Sequence, residues 1–317
     1  MSPTILVVGA TGNTGRGVVE TLSRLLNTQS HLCSYSILAL TRSKDGTAAK
    51  QLATLPHVEV VEKHWVTINA DWLRHQNVKR AFIASHNQPN QFAEESNFYV
   101  SALNANVQYV VRISTTAANV RPDSPVYYPR SHWAIEALLD TTEFRNLWWT
   151  SLQPNVFTQQ YLASAVEWVK AFQKTGKKGT LKLMASKDVP VGIVDPNEVG
   201  AFAAHLLLQD DPKAHSRARY VLNGPVDITG QQIVDLVESY SGTKVDKVIF
   251  KDLSFIEYLA KDAPEGSRDI ILSIKRAQET AWEGRCTAST TSKEVTQLAP
   301  LKRVPSEIFK EMIAASE

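Results

Sequence analysis

The sequence predicts an α/β protein with a doubly wound parallel sheet and a smaller, mostly helical C-terminal lobe. Through the first half of the chain, apolar segments of strand length alternate with segments whose apolar residues recur every 3.6 positions. The first apolar segment, residues 5–8, runs directly into a glycine-rich turn that opens a helix. At 317 residues the chain is long enough for one elaborated domain or two.

The glycine-rich turn has the spacing G-x-x-G-x-x-G, and the helix after it carries apolar residues at 18, 19, 22, 25 and 26. Glycines let the backbone pass close to phosphates, and N–H groups at a helix start donate hydrogen bonds to them. The turn therefore predicts a site for the pyrophosphate of a dinucleotide; a plain strand-to-helix turn is the alternative. The predicted contacts are Gly9, Thr11, Gly12, Asn13, Thr14 and Gly15.

The second strand, at residues 36–40, ends in a basic segment that contains Arg42, Ser43 and Lys44. A site specific for NAD typically offers an acid here, which accepts hydrogen bonds from the ribose 2′-OH. Two cations and a hydroxyl suit a 2′-phosphate instead, so the sequence favours NADP(H) as the cofactor. The alternative is that both cations only solvate a loop.

The remaining strands and helices of the first half follow in alternation. Strands are predicted at 58–61, 80–84, 108–114 and 148–152, and helices at 92–105 and 131–140. This order predicts a parallel sheet whose crossovers are right-handed.

After Pro154 the alternation becomes less regular. Asp195, Pro196 and Glu198 predict a helix start, with an N-cap, a proline in the first turn and an acid that reaches back to the cap. A strand at 220–222 returns to the main sheet, and the chain after about residue 227 is mostly helical. We therefore assign 1–155, joined by 186–226, to a cofactor-binding domain, and 156–185 with 227–317 to a lobe that faces the carboxyl edge of the sheet.

Composition limits the classes of function. The formal net charge is +2 and 21% of the residues are charged, so the chain offers no basic stripe for nucleic acid and no charge excess for a membrane surface. No apolar run is long enough for a membrane span, and the first apolar segment is already a strand, which leaves no room for a secretory signal. Cys33 and Cys286 lie far apart without metal-ligand spacing, which predicts reduced thiols in the cytoplasm and no metal site.

The chain resembles the NmrA-like family of atypical short-chain dehydrogenases, including its isoflavone-reductase-like and quinone-reductase-like branches. The resemblance implies a Rossmann domain, NADP(H), and a cleft under a small C-terminal lobe. It leaves the chemistry open, because the family holds reductases, redox sensors without turnover and fungal tailoring enzymes. The segments that carry it are V-G-A-T-G-N-T-G at 8–15, L-T-R at 40–42, V-R-I-S at 111–114, I-E-A-L-L at 135–139, S-L-Q-P-N-V-F at 151–157 and V-D-P-N-E-V-G at 194–200.

The chain departs from the family at the helix that usually carries a lysine four residues before a glutamate. Glu136 is in place, but the lysine position is His132, so the usual Y-x-x-x-K becomes Tyr128 followed by His132. One interpretation makes His132 a hydrogen-bond donor and a proton shuttle near neutrality, beside Tyr128. In the other, Pro129 breaks the helix, Tyr128 lies in a loop, and His132 only begins the helix.

Polar side chains follow the strands at the edge where the nicotinamide half of a cofactor would lie. Each has an alternative role as a solvated loop residue, a loop cap or plain core. Predicted cofactor contacts are Ser85, Ser114, His132, Asn155 and Phe157. Predicted substrate contacts are His86, Gln88, Thr115, Tyr128, Phe157 and Gln159, and the candidate proton donors are Tyr128, His132 and His86.

Three functions are consistent with these features. The first is an NADPH-dependent reductase that delivers hydride to an enone, quinone or imine of a small, aromatic or heterocyclic secondary metabolite. The second is a tailoring enzyme that keeps NADP(H) but uses the pocket for acid–base cyclisation or isomerisation. The third is a non-catalytic sensor whose protein partner contacts depend on bound NADP(H). We favour the reductase, because hydride transfer most simply explains a dinucleotide site and needs mainly alignment and one proton donor.

Overall fold

A seven-stranded, all-parallel sheet forms the centre of the molecule within the residues that the computed structural model describes, which are 2–28, 34–261, 263 and 267–315. Its strands lie in the order β3-β2-β1-β4-β5-β6-β8, with a change of direction at β1 as in a doubly wound sheet. The strands are β1 (Thr4–Val8), β2 (Ser36–Thr41), β3 (Val58–Glu62), β4 (Val78–Ile83), β5 (Tyr109–Ile113), β6 (Trp148–Pro154), β7 (Leu181–Leu183), β8 (Ala218–Leu222) and β9 (Val248–Phe250).

Helices cover both faces of this sheet. Because alternate residues of a strand face opposite sides, Ile5 and Val7 enter one core while Leu6 and Val8 enter the other. The predicted Rossmann fold is thereby confirmed. The helices are α1 (Asn13–Thr28), α2 (Thr47–Leu52), α3 (Ala70–His75), α4 (Gln91–Asn104), α5 (Tyr127–Leu139), α6 (Thr158–Thr175), α7 (Pro196–Leu207), α8 (Gly230–Ser241), α9 (Phe255–Lys261), α10 (Arg268–Leu272), α11 (Glu279–Trp282), α12 (Lys293–Leu298) and α13 (Pro305–Ala314).

Close contact with α7 fixes the position of α1. A Cβ added at Gly200 would lie 2.4 Å from the backbone oxygen of Thr14, so the absence of a side chain there permits the approach. Asp195 caps α7 through a 2.9 Å hydrogen bond from the Asn197 N–H, as predicted. Glu198 does not reach back to the cap; its carboxylate instead accepts hydrogen bonds from the backbone N–H groups of Lys302 and Arg303, because that segment crosses the helix start.

The C-terminal lobe has its own core between α6, α8 and α13 and the two-stranded parallel sheet β7–β9. In the segment predicted for the lobe, α12 packs Val295 into the core of the main sheet. The division into domains otherwise stays a prediction. Cys286 is buried as a free thiol, whereas Cys33 lies outside the described residues. Across the described ranges, no helix has the length and apolarity needed to span a membrane.

Candidate functional site

A cavity of about 440 Å³ lies between the carboxyl edge of the main sheet and the C-terminal lobe. It joins the glycine turn to the helix that carries Tyr128 and His132, so residues far apart in sequence line one cavity. The predicted residues that line it are Gly9, Gly12, Asn13, Thr14, Gly15, Ser85, Ser114, Thr115, Tyr128, His132, Asn155 and Phe157.

The glycine turn is tight because its own backbone leaves no room for side chains. Gly9 has a φ of +79°, and a Cβ there would lie 2.8 Å from the backbone oxygen of Ala84, directly after β4. A Cβ at Gly15 would lie 2.1 Å from the backbone oxygen of Gly9. The turn closes through a 3.0 Å hydrogen bond from the Gly12 N–H to the Gly9 oxygen. The first and third glycines are therefore required by the turn itself.

The start of α1 provides donors for an anion. The first helical hydrogen bond runs from the Arg16 N–H to the Gly12 oxygen over 3.2 Å. The backbone N–H groups of Asn13, Thr14 and Gly15 precede that bond, at the positive end of a 16-residue helix beside the cavity. This is the arrangement that binds a phosphate group. Of the predicted turn residues, Thr11 is half-buried in the turn and does not line the cavity.

The basic segment Arg42, Ser43 and Lys44 is exposed at the carboxyl end of β2 and lies outside the cavity. A 3.2 Å hydrogen bond from the Ala10 N–H to the Leu40 oxygen ties the glycine turn to this strand. The Lys44 N–H donates over 3.0 Å to the carboxylate of Glu62, an acid that the sequence did not single out. The segment is thus placed where the adenosine end of a dinucleotide lies in such folds, and its contact with a 2′-phosphate remains a prediction.

Helix α5 begins at Tyr127, four residues before the predicted start, so the interpretation in which Pro129 breaks the helix is wrong. Proline is tolerated here because it occupies the first turn, where a backbone N–H has no intrahelical partner. One turn separates Tyr128 from His132, and their rings meet edge to face with centroids 6.5 Å apart. Both side chains therefore reach the cavity from the same face of α5.

Tyr128 is held in a protonated state. Burial raises the pKa of its hydroxyl to about 12, although a hydrogen bond with Thr115 acts in the opposite direction. At neutral pH the hydroxyl therefore keeps its proton and can donate it, or a hydrogen bond, to a ligand.

His132 is neutral, because burial and the adjacent Arg112 guanidinium lower its pKa to about 3. The side chain is 2% exposed, and Nη2 of Arg112 donates to its Nδ1 over 2.8 Å. The expectation that His132 shuttles a proton near neutrality is therefore wrong, since an imidazole with this pKa stays unprotonated there. The positive charge of the lysine usual in the family is not replaced at this position.

A buried ionic network beneath the cavity escaped sequence reasoning. Arg112, the penultimate residue of β5, donates from Nε to Glu95 over 2.8 Å and from Nη1 to Glu136 over 3.4 Å. Burial alone would raise the pKa of Glu95, but the Arg112 guanidinium outweighs it and lowers the pKa to about 2. The signal in the sequence was a charged residue inside the apolar run of β5, which requires a buried partner of opposite charge.

Two residues predicted at the rim, His86 and Gln88, do not line the cavity. Nε2 of His86 lies 2.5 Å from a carboxylate oxygen of Glu94, and its Nδ1 accepts a 3.1 Å hydrogen bond from the Gln88 N–H. Both ring nitrogens of His86 are therefore engaged, and its ring centroid lies 6.0 Å from that of Trp65. Neither His86 nor Gln88 is among the residues that line the cavity. Their predicted roles as substrate contacts and, for His86, as a proton donor are not supported by this placement.

On helix α6, the residue that lines the cavity is the neighbour of the predicted one. It begins at Thr158, and Gln160 lines the cavity whereas Gln159 does not. Successive helical residues are rotated by about 100°, so adjacent side chains leave the helix in different directions. The prediction of Gln159 as a substrate contact is corrected accordingly.

Ser114 and Asn155 differ in what they offer a ligand. The Oγ atom of Ser114 is buried at the cavity and has no hydrogen-bond partner within the described part of the chain. A buried hydroxyl without a partner is costly, so this atom is a candidate for a hydrogen bond to a ligand or to an ordered water. The side-chain amide of Asn155 instead donates to the backbone oxygens of Gly192 and Cys286, over 3.0 and 3.2 Å, and so joins the sheet edge to the lobe.

The lobe contributes the apolar wall of the cavity, which sequence reasoning also missed. These side chains come from the turn after β7, from α9 and from the 3-10 helix between α10 and α11, and they oppose the polar sheet edge. A polar side for phosphates and ribose opposite an apolar side is the composition expected of a site for a dinucleotide and a small apolar molecule. The wall consists of Met184, Phe255, Ile256, Leu259, Ile274 and Ala277. No group of three or more metal-ligating side chains was found among the described residues.

The NmrA-like family model matches residues 1–311, and comparison with curated proteins gave no match. Among solved structures, the chain is similar to an NADPH-dependent quinone oxidoreductase from Escherichia coli complexed with NADPH, at 20% identity and a TM-score of 0.71, covering 97% of this chain and 99% of that chain. A Citrobacter sp. triphenylmethane reductase complexed with NADP(H) matches at 21% identity and 0.68, over 98% and 99%. The negative transcriptional regulator NmrA in complex with NAD matches at 15% and 0.70, over 99% and 96%.

Proposed function

The chain belongs to the NmrA-like family, and from this premise we propose that it is an NADPH-dependent reductase of small aromatic or heterocyclic metabolites that carry an enone, quinone or imine. The observation that carries the proposal is the single cavity of about 440 Å³, which joins the anion-binding start of α1 to an apolar wall from the lobe. A role in secondary metabolism follows only from the resemblance and is part of the proposal.

The residues present fit NADP(H). The N–H groups of Asn13, Thr14 and Gly15 would hold the pyrophosphate, and the unpartnered Oγ of Ser114 offers a hydrogen bond to the nicotinamide half. Arg42 and Lys44 would bind the 2′-phosphate through charge-assisted hydrogen bonds. Two similar structures, the quinone oxidoreductase and the triphenylmethane reductase, are described as complexes with NADPH and NADP(H).

Bound NADPH supplies a hydride, and the protein then has to align the substrate and provide a proton. The apolar wall at Phe255, Ile256 and Leu259 covers a flat substrate and excludes water from the reacting face. Tyr128 is the proton donor, because its raised pKa keeps the hydroxyl protonated at neutral pH. A neutral His132 does not lower the pKa of Tyr128 as a lysine would, so we expect enones, quinones and imines to be better substrates than alcohols.

The test is the stoichiometry of turnover on a panel of enones, quinones and imines. We expect one NADPH consumed for each product formed, and a decrease in kcat of about 100-fold in Tyr128→Phe with unchanged affinity for NADPH. Tyr240→Phe, which removes a half-exposed hydroxyl on α8, is the matched control. Product formed without net loss of NADPH would replace the reductase with a cyclase or isomerase that uses the same proton donor.

A non-catalytic redox sensor is the second candidate, favoured by the neutral histidine at the position of the usual lysine. One similar structure, NmrA, is described as a negative transcriptional regulator. No turnover across the panel, together with a partner protein bound in only one redox state of the cofactor, would support the sensor over the reductase.

A further inference from the structure

A chain of three side chains connects the buried network to the cavity. Nη2 of Arg112 lies 2.8 Å from Nδ1 of His132, and Nε2 of the same imidazole lies 3.2 Å from Oδ1 of Asn87. Asn87 is exposed in the loop after β4 and lines the cavity. The hydroxyl of Tyr127 donates to the backbone oxygen of Asn87, which holds this part of the loop against α5.

Arg112 determines the direction of both hydrogen bonds in this series of side chains. A guanidinium only donates, so Nδ1 of His132 has to accept and the ring proton has to sit on Nε2. That proton is then donated to Oδ1 of Asn87, which leaves the two N–H bonds of the amide available for another acceptor. The hydrogen-bond network thus assigns both the imidazole tautomer and the orientation of the amide.

Gln91 is another polar side chain that approaches the ring of His132. Gln91 approaches the ring nitrogens at 3.4 and 3.5 Å, but its amide lies closer to Ser85 and Glu95, at 3.1 and 3.2 Å. The carboxylate of Glu95 binds the guanidinium of Arg112, which fixes the position of the donor that faces the ring. Each hydrogen bond in the series Arg112, His132 and Asn87 is therefore donated outward, from the protein interior toward the cavity.

We propose that the side-chain amide of Asn87 is the hydrogen-bond donor for the carbonyl oxygen of the substrate, and that Arg112 and His132 are positioning residues that turn its N–H bonds toward the cavity. This deepens the proposed reductase function and rests on it. When an enone or quinone accepts a hydride, negative charge develops on its oxygen, and a preorganised neutral donor stabilises that charge. Asn87 then selects substrates with a carbonyl acceptor over apolar molecules of the same shape.

The first experiment measures single-turnover oxidation of bound NADPH by tetramethyl-1,4-benzoquinone, whose fully substituted ring does not add thiols. Asn87→Ala should slow this step by about 100-fold, the effect of removing one oxyanion donor, while the Kd for NADPH stays within about twofold. Asn90→Ala is the matched control, because its amide lies three positions away and donates to Glu94. A wild-type rate in Asn87→Ala would overturn the proposal.

A second variant separates donation from mere structure. In Asn87→Asp a carboxylate only accepts hydrogen bonds, whereas a carboxylic acid also donates one. Its rate deficit relative to wild type should therefore shrink as the pH falls from 7.5 toward 4.5, and a deficit that does not change with pH would contradict a donor role. By ¹⁵N NMR of labelled histidine at pH 7, His132 should carry its proton on Nε2; a proton on Nδ1 would also overturn the assignment.

Binding distinguishes failure of this inference from failure of the reductase proposal. If wild-type protein binds NADPH but oxidises none of it, the reductase proposal fails, and the Kd of the quinone for the NADP⁺-loaded protein decides on Asn87. That Kd should rise at least about tenfold in Asn87→Ala and stay unchanged in Asn90→Ala. Equal affinities, or no binding of the quinone by wild-type protein, would overturn the role of Asn87.

Discussion

His132 should make the protein sensitive to mild acid. Its pKa is about 3 in the folded protein against an ordinary value of 6.5, so between these pH values the unfolded state binds a proton that the folded state does not. The stabilisation is complete above pH 6.5 and is lost as the pH falls toward 3. The slope approaches about 1.4 kcal/mol per pH unit only well below pH 6.5, the pH at which the unfolded-state histidine is half protonated, so the loss between pH 6.5 and 4.5 is about 2 kcal/mol. The side chain is 2% exposed, so solvent screening does not reduce this figure.

The perturbation is His132→Asn, which keeps an acceptor for Arg112 but cannot be protonated. Urea unfolding at constant ionic strength, at several pH values between 7 and 4.5, gives the free energy of unfolding of each protein. We expect the wild-type curve to fall faster than that of the variant, by about 1.4 kcal/mol per pH unit below pH 6. His75→Asn removes an exposed histidine and should parallel wild type. Parallel curves for wild type and His132→Asn would refute a depressed pKa at His132.

Two further predictions concern the cofactor site, and a third concerns the contact between α1 and α7. Wild-type protein should bind NADP(H) more than about tenfold tighter than NAD(H), a difference in binding free energy of about 1.4 kcal/mol. Arg42→Asp should remove most of that preference, because it replaces a charge-assisted hydrogen bond with repulsion. Competitive titration measures both affinities, and equal affinities of the wild-type protein would contradict the role of Arg42. Gly12→Val should abolish NADP(H) binding and leave a folded chain. Its Cβ would lie 3.2 Å from the Gly9 oxygen, a tight contact that a shift of a few tenths of an ångström relieves, whereas the side chain occupies the approach of the pyrophosphate. Gly200→Val should instead lower the free energy of unfolding by about 3 kcal/mol, since a Cβ there meets the Thr14 oxygen at 2.4 Å. Unchanged NADP(H) affinity in Gly12→Val, or a normal thermal transition in Gly200→Val, would show that these glycines are replaceable.

The fold was predictable because each strand and the helix after it have a recognisable pattern of apolar residues in the local sequence. The apolar run 5–8 and the turn at Gly9, Gly12 and Gly15 are contiguous, and the structure places them as β1 and the start of α1. The bounds of α5 were not predictable in the same way, because Pro129 reads as a helix breaker unless its position in the first turn is known.

The buried network was hidden for a different reason. Arg112 stands in an apolar run, and its acidic partners Glu95 and Glu136 lie on two separate helices. Sequence spacing within an element identifies partners only along that element, whereas these contacts depend on how α4 and α5 pack against the sheet. The same limitation explains why His132 was given a pKa near neutrality and why the apolar wall of the lobe was not foreseen.

Transfer of deuterium from labelled NADPH to an enone tests the reductase proposal most directly, because the carbon–deuterium bond formed in the product does not exchange with water. We predict one deuterium in each product molecule when the hydride position of NADPH is labelled, detected by mass spectrometry, and one NADP⁺ formed alongside it. Product without deuterium, or binding of both NADPH and enone without product, would contradict the proposal that the cavity between β1, α5 and the lobe carries out hydride transfer.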